Sequence, residues 1–92
     1  MIKSYRCKET AKLSTGYSVK RFIAFEGVAR RKLAQLNAAA TLSFLRVPPG
    51  NRLETLKGDR KGQHSIRINN QWRLCFSFED GNAYDVEIVD YH

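Results

Sequence analysis

The chain closes on Asp90-Tyr91-His92, a carboxylate, a phenol and an imidazole in successive positions, directly after the alternating run Tyr84-Asp85-Val86-Glu87-Ile88-Val89. His92 is the natural proton carrier of the three, because imidazole changes charge near neutral pH, and Asp90 could orient it or act as a base. Two further clusters, Leu56-Lys57-Gly58-Asp59-Arg60-Lys61-Gly62 and Trp72-Arg73, are rich in groups that bind phosphate. Together these side chains supply what RNA cleavage requires. When a 2′-hydroxyl attacks the adjacent phosphorus, the site must accept a proton, stabilise the extra charge on the phosphorane and protonate the departing 5′ oxygen. Lys57 and Arg73 suit the charge-stabilising task, and Tyr91 could stack on a base or donate a hydrogen bond to phosphate.

Each group also has an ordinary explanation. Lys57, Arg60 and Lys61 lie in a glycine-bounded loop, where solvated cations are commonplace. Arg73 could pair with Asp90 across neighbouring strands, and terminal residues such as His92 usually fray. His64, in Gln63-His64-Ser65, reads as a strand or surface histidine. Histidines at 64 and 92 without ligand spacing around them argue against a metal site, and no cofactor is expected.

The elements that must hold these groups follow from pattern. Ile2 to Arg6 reads as a short strand, followed by a helical turn and a loop at Ser14-Thr15-Gly16. From Lys20 onward, Phe22, Phe25, Ala29, Leu33, Leu36 and Ala40 recur at three- and four-residue steps, which predicts one main helix with Arg30-Arg31-Lys32 beside its apolar stripe. Val47-Pro48-Pro49-Gly50-Asn51 ends helical structure and begins a loop. Three strands are then predicted at His64 to Asn69, Gln71 to Phe78 and Ala83 to Asp90, joined by turns at Asn69-Asn70 and Asp80-Gly81-Asn82. Alternation puts Trp72, Leu74, Phe76 and Phe78 on one face of the middle strand and Arg73, Cys75 and Ser77 on the other. It likewise separates Asp90 and His92 from Tyr91, so the terminal three converge only through a bend. The predicted fold class is α+β, with N-terminal helices packed on one face of a small, mainly antiparallel sheet.

Ninety-two residues suit a single domain spanning 1–92, and the apolar content of 42% is ordinary. No apolar run approaches the roughly 20 residues of a membrane span, and the start lacks a secretory h-region, so a cytoplasmic protein is expected. Cys7 and Cys75 are then expected to be reduced. Sixteen basic against nine acidic residues give a net charge of +7, with a pI near 9.8. Residues 1–34 hold nine cations and two anions, residues 46–73 seven and two, and residues 79–92 none and five. Such an excess points to nucleic acid or ribonucleoprotein, because neutralised phosphates release counterions.

Lys57-Gly58-Asp59-Arg60, Gly62, Ser65-Ile66, Trp72-Arg73, Gly81 with Ala83-Tyr84, and the terminal Asp90-Tyr91-His92 resemble in order and spacing the HigB toxins of the RelE/ParE superfamily. The resemblance runs from the Met-Ile-Lys-Ser start to the final histidine. It implies a RelE-like toxin that enters the ribosomal A site and cuts mRNA during translation, restrained by a helix-turn-helix antitoxin of the HigA type. Carried over by position, it points to Lys57, Arg73, Asp90, Tyr91 and His92 for catalysis. Arg60 and Lys61, from the cation-rich loop, are expected to join Lys57 and Arg73 in substrate binding. Family members commonly carry a histidine where this chain has Glu54. Glu54 is therefore either a substitute base or a plain loop carboxylate, with acid-base work left to residues 90–92. The Arg30-Arg31-Lys32 face is the expected antitoxin surface. Two other functions stay open: a ParE-like inhibitor of DNA gyrase without catalysis, and a basic RNA- or ribosome-binding module.

Overall fold

The computed structural model describes residues 1–91. Two α-helices, α1 (Lys8–Ser14) and α2 (Glu26–Ala38), precede four strands: β1 (Glu54–Thr55), β2 (His64–Arg67), β3 (Trp72–Glu79) and β4 (Asn82–Asp90). The strands form one antiparallel sheet in the order β1-β2-β3-β4. The helices cover one face, where Leu13, Phe22, Ala29, Leu33 and Leu36 join Ile66, Leu74, Phe76, Val86 and Ile88 in a common core. No helix among the described residues is long and apolar enough to cross a membrane. Both cysteines are free.

The long helix expected from Lys20 is two elements. Lys20–Phe25 is a 3₁₀ turn, and the α-helix begins at Glu26. Phe22 and Phe25, three apart, share one face of the 3₁₀ turn, and Ala29, Leu33 and Leu36, at steps of four and three, share the buried face of α2. Both phenylalanines pack on Trp72 of β3, with ring centroids 5.7 and 5.1 Å away. Ala40 lies beyond the helix and is exposed, while its neighbour Ala39 is buried.

Ile2 and Tyr5 make isolated parallel bridges to Ala83 and Val86 rather than a strand. They shield the free edge of β4, as does the Thr10 hydroxyl, which accepts from Ile88 N at 3.1 Å. The loop expected after Pro48 contains a 3₁₀ turn, Pro49–Asn51, and then β1. The β2–β3 connection spans 68–71 instead of two residues. Asn69 Oδ1 accepts from the backbone N–H groups of Gln71 and Trp72, both at 2.9 Å, and closes the turn. Asp80 and Gly81 carry the paired positive φ values, 50° and 78°, of a primed hairpin turn between β3 and β4.

A bulge at Asp85 (φ 53°) interrupts the β3–β4 register between Cys75 and Ser77. The extra residue lets Ala83, Val86 and Ile88 all face the core although strict alternation would not. The opposite, outer face of the sheet is covered in part by the segment between β1 and β2. Arg60 of that segment reaches across to Glu87 of β4 at 3.1 Å, and Cys75 beneath is fully buried.

Candidate active site

Arg73 is 9% exposed although it lies on the face away from the helices. Its guanidinium is fixed from two directions. Nε donates to Ser65 Oγ at 2.8 Å and Nη2 donates to the Arg52 carbonyl at 2.6 Å, with a longer contact to the Ser65 carbonyl at 3.5 Å. Ser65 is itself fully buried. Arg52 presents its carbonyl from a left-handed backbone conformation (φ 45°), which costs a residue with a side chain about 1 kcal/mol or more. Asn51, fully buried, holds this bend: its side-chain amide donates to Gln35 Oε1 and the Leu45 carbonyl, both at 3.0 Å, and its Oδ1 accepts from Lys32 Nζ. Burial and the neighbouring Arg31 lower the pKa of Lys32.

Around Arg73 opens a cleft of about 330 Å³ lined by Arg52, Glu54, Arg67, Asn69, Asn70, Arg73 and Tyr91. Glu54 is half exposed, with Oε2 3.9 Å from Arg73 Nη2. The Tyr91 ring lies 6.0 Å from the Arg73 guanidinium carbon, within cation–π range. The Tyr91 backbone N–H donates to the Gln71 carbonyl, which extends the sheet's pairing beyond β4. The cleft therefore combines an oriented cation, a solvent-accessible carboxylate and a phenol. That set can bind a phosphodiester, stabilise added negative charge and accept a proton.

Of the residues singled out in the sequence, Glu54, Arg73 and Tyr91 meet in this cleft. Asp90 is registered opposite Trp72 and Val89 opposite Arg73, so Asp90 belongs to the helix-side face; Gln71 Nε2 donates to its Oδ2 at 3.1 Å. A directly opposed Arg73–Asp90 pair is thereby replaced by Arg73–Val89. His92 lies outside the described residues. Lys57 and Lys61 are exposed on the β1–β2 segment and do not line the cleft. Arg60 is half-buried and committed to Glu87 and to Gln63 Oε1, each at 3.1 Å. Burial pushes the Cys75 thiol up, opposed by Arg60 and Arg73.

The sequence reading missed Arg52, Arg67, Asn69 and Asn70. For Arg67 a signal existed in its strand parity with Ser65; its place opposite Arg73 follows from the longer turn that the structure shows. Arg52 had none, because its contribution is a carbonyl aimed by backbone conformation. On the expected antitoxin face, Arg30 is paired with Glu26 at 2.9 Å and Lys32 with Asn51, which leaves Arg31 as the exposed cation of the three.

Residues 12–92 match the HigB-like toxin family, described as the RelE-like toxin of the type II toxin-antitoxin system HigB. The chain is 53% identical over 58 residues to a Vibrio cholerae protein named Toxin HigB-1, covering 63% of this chain and 61% of that relative. It is 46% identical over 41 residues to the Endoribonuclease HigB of Proteus vulgaris, covering 45% of each. The matched stretches thus span about three fifths and under half of these relatives. In fold the chain is similar to YafQ from an E. coli strain, at a TM-score of 0.64 and 15% identity over 98% of this chain and 91% of that one. It is also similar to a chain of the YoeB-YefM complex from Staphylococcus aureus, at 0.59 and 20% identity over 100% and 95%. Helices against an antiparallel sheet, a basic cleft on the sheet's outer face and a family match over residues 12–92 agree: the chain belongs to the HigB-like toxins of type II toxin-antitoxin systems.

Proposed function

We propose that this toxin is an endoribonuclease that cuts mRNA on the translating ribosome in the cytoplasm, and that its partner is a helix-turn-helix antitoxin of the HigA kind. The observation that carries the reading is the buried, doubly anchored Arg73 guanidinium beside Glu54 in an open cleft. In the proposed reaction the 2′-hydroxyl forms the new P–O bond while its proton passes to Glu54. Arg73 stabilises the phosphorane, the P–O5′ bond breaks, and the departing oxygen takes a proton from the C-terminal group that the sequence assigns to His92. The products are a 2′,3′-cyclic phosphate and a 5′-hydroxyl. A shallow cleft on so small a protein leaves much of the strand's geometry to be fixed elsewhere, which is the reason to assign that task to the ribosome.

Primer extension on an mRNA incubated with the protein, with and without translating ribosomes, tests the reading. Breaks that appear only with ribosomes are expected. Intact mRNA in both reactions would leave a non-cleaving inhibitor.

A further inference from the structure

Arg67 on β2 stands opposite Arg73 on β3 as its register partner, and both line the cleft. Like charges directly opposed across strands repel, so the pair gives the sheet nothing by itself. Three other arginines of the chain are neutralised by carboxylates. Arg21 takes Glu9 at 2.6 Å, Arg30 takes Glu26 at 2.9 Å and Arg60 takes Glu87 at 3.1 Å. Arg67 is instead held by neutral amide oxygens: Nε donates to the Asn69 carbonyl at 3.2 Å and Nη2 to Asn70 Oδ1. These acceptors fix the guanidinium without neutralising it. The turn that holds it is closed in its own right by the Asn69 side chain. The result is a pre-oriented positive charge, uncompensated among the described residues, beside a second, buried guanidinium.

The two heads are anchored at different places, Arg73 toward residue 52 and Arg67 toward residues 69–70. Cross-strand partners lie roughly 4.5–5.5 Å apart at Cα, and a cleft of about 330 Å³ has room for more than one phosphate group. We infer that Arg67 binds the phosphate adjacent to the scissile one. This rests on the reading of the cleft as an RNA-cleavage site. Arg73 acts on the reacting phosphorus, whereas Arg67 holds the strand equally in the ground and transition states. Loss of such a contact raises KM and leaves kcat unchanged.

The test compares the parent with Arg67→Gln on ribosome-bound mRNAs in which single linkages flanking the cleavage point are neutral methylphosphonates. With all-phosphate mRNA, Arg67→Gln should raise KM by about tenfold, the loss of one charge-assisted hydrogen bond, with kcat within about twofold of the parent. One methylphosphonate position should raise the parent's KM by the same factor and leave that of Arg67→Gln unmoved. Arg67→Lys, which keeps the charge, should recover part of the loss, and thermal melts confirm that each variant is folded. The inference is overturned if Arg67→Gln responds to every methylphosphonate as the parent does, or if it lowers kcat at constant KM. A parent that binds these mRNAs and cuts none of them would overturn the cleavage reading alone. The same comparison made on Kd would then decide Arg67, with a shared loss at one linkage supporting it and independent losses rejecting it.

Discussion

The Nε of Arg73 donates to Ser65 Oγ across β2 and β3 at 2.8 Å, and both side chains are buried on the sheet face that carries no helix. Burying a guanidinium is costly unless its donors are met, so the hydroxyl and the Arg52 carbonyl are conditions for Arg73 to occupy the cleft. The arrangement also removes rotational freedom before substrate arrives, which is what electrostatic preorganisation requires.

Ser65→Ala should therefore act through Arg73. Single-turnover cleavage should slow by about tenfold, the equivalent of one hydrogen bond near 1.4 kcal/mol. In an Arg73→Ala background the same change should cost nothing further, because coupled residues are not additive. Equal losses in both backgrounds would reduce Ser65 to packing.

Glu54→Gln keeps the shape of the side chain and removes its proton affinity. If Glu54 takes the 2′-hydroxyl proton, cleavage falls by about 10² to 10⁴, with an unchanged thermal melt because the side chain is half exposed. Activity near the parent's would transfer the acid-base role to residues 90–92.

Deletion of His92 tests that other group. A protein lacking the final residue should cut ribosome-bound mRNA slowly and lose the limb of the pH–rate profile that reports the acid, at little cost in stability. An unchanged profile between pH 5 and 9 would remove His92 from the mechanism.

Stability should carry a histidine signature of its own. Burial lowers the pKa of His64, whose Nδ1 lies 3.2 Å from Thr55 Oγ1 between β1 and β2. Because the folded state resists protonation, the unfolded chain binds more protons just below its own pKa of about 6.5, so stability rises with pH there. The neutral imidazole's contribution is complete above about pH 6.5 and is lost as pH falls through the lower folded value. Between pH 7 and 5 the parent's melting temperature should drop more than that of His64→Gln; parallel curves would contradict the assignment.

Much of this architecture was legible because hydrophobic period reports burial. Trp72, Leu74 and Phe76 pack into the helix-side core as the alternation of β3 predicts, and Leu33 and Leu36 mark the core face of α2. The remainder depends on contacts that leave no period. β1 has two residues, too few to show alternation, and owes its place to pairing with His64 and Ser65. Arg73 was read correctly as facing away from the helices, but its burial comes from Arg52, whose backbone no side-chain pattern reveals. The cation-rich loop at 57–61 was conspicuous by composition, yet folding sends Arg60 to Glu87 and leaves Lys57 and Lys61 in solvent.

The central claim is that chemistry occurs in the cleft around Arg73, and single-turnover cleavage of ribosome-bound mRNA by the parent, Arg73→Ala and Lys61→Ala tests it most directly. Loss of a preorganised donor should lower the rate for Arg73→Ala by about 10² to 10³. That variant should also melt earlier, since the Arg52 carbonyl loses a donor, at a cost of about 1–3 kcal/mol. A rate measured well below its melting temperature separates the two effects, and Lys61→Ala should cut like the parent. Parent-like cleavage by folded Arg73→Ala, or a collapse of the rate confined to Lys61→Ala, would place the chemistry elsewhere on the molecule.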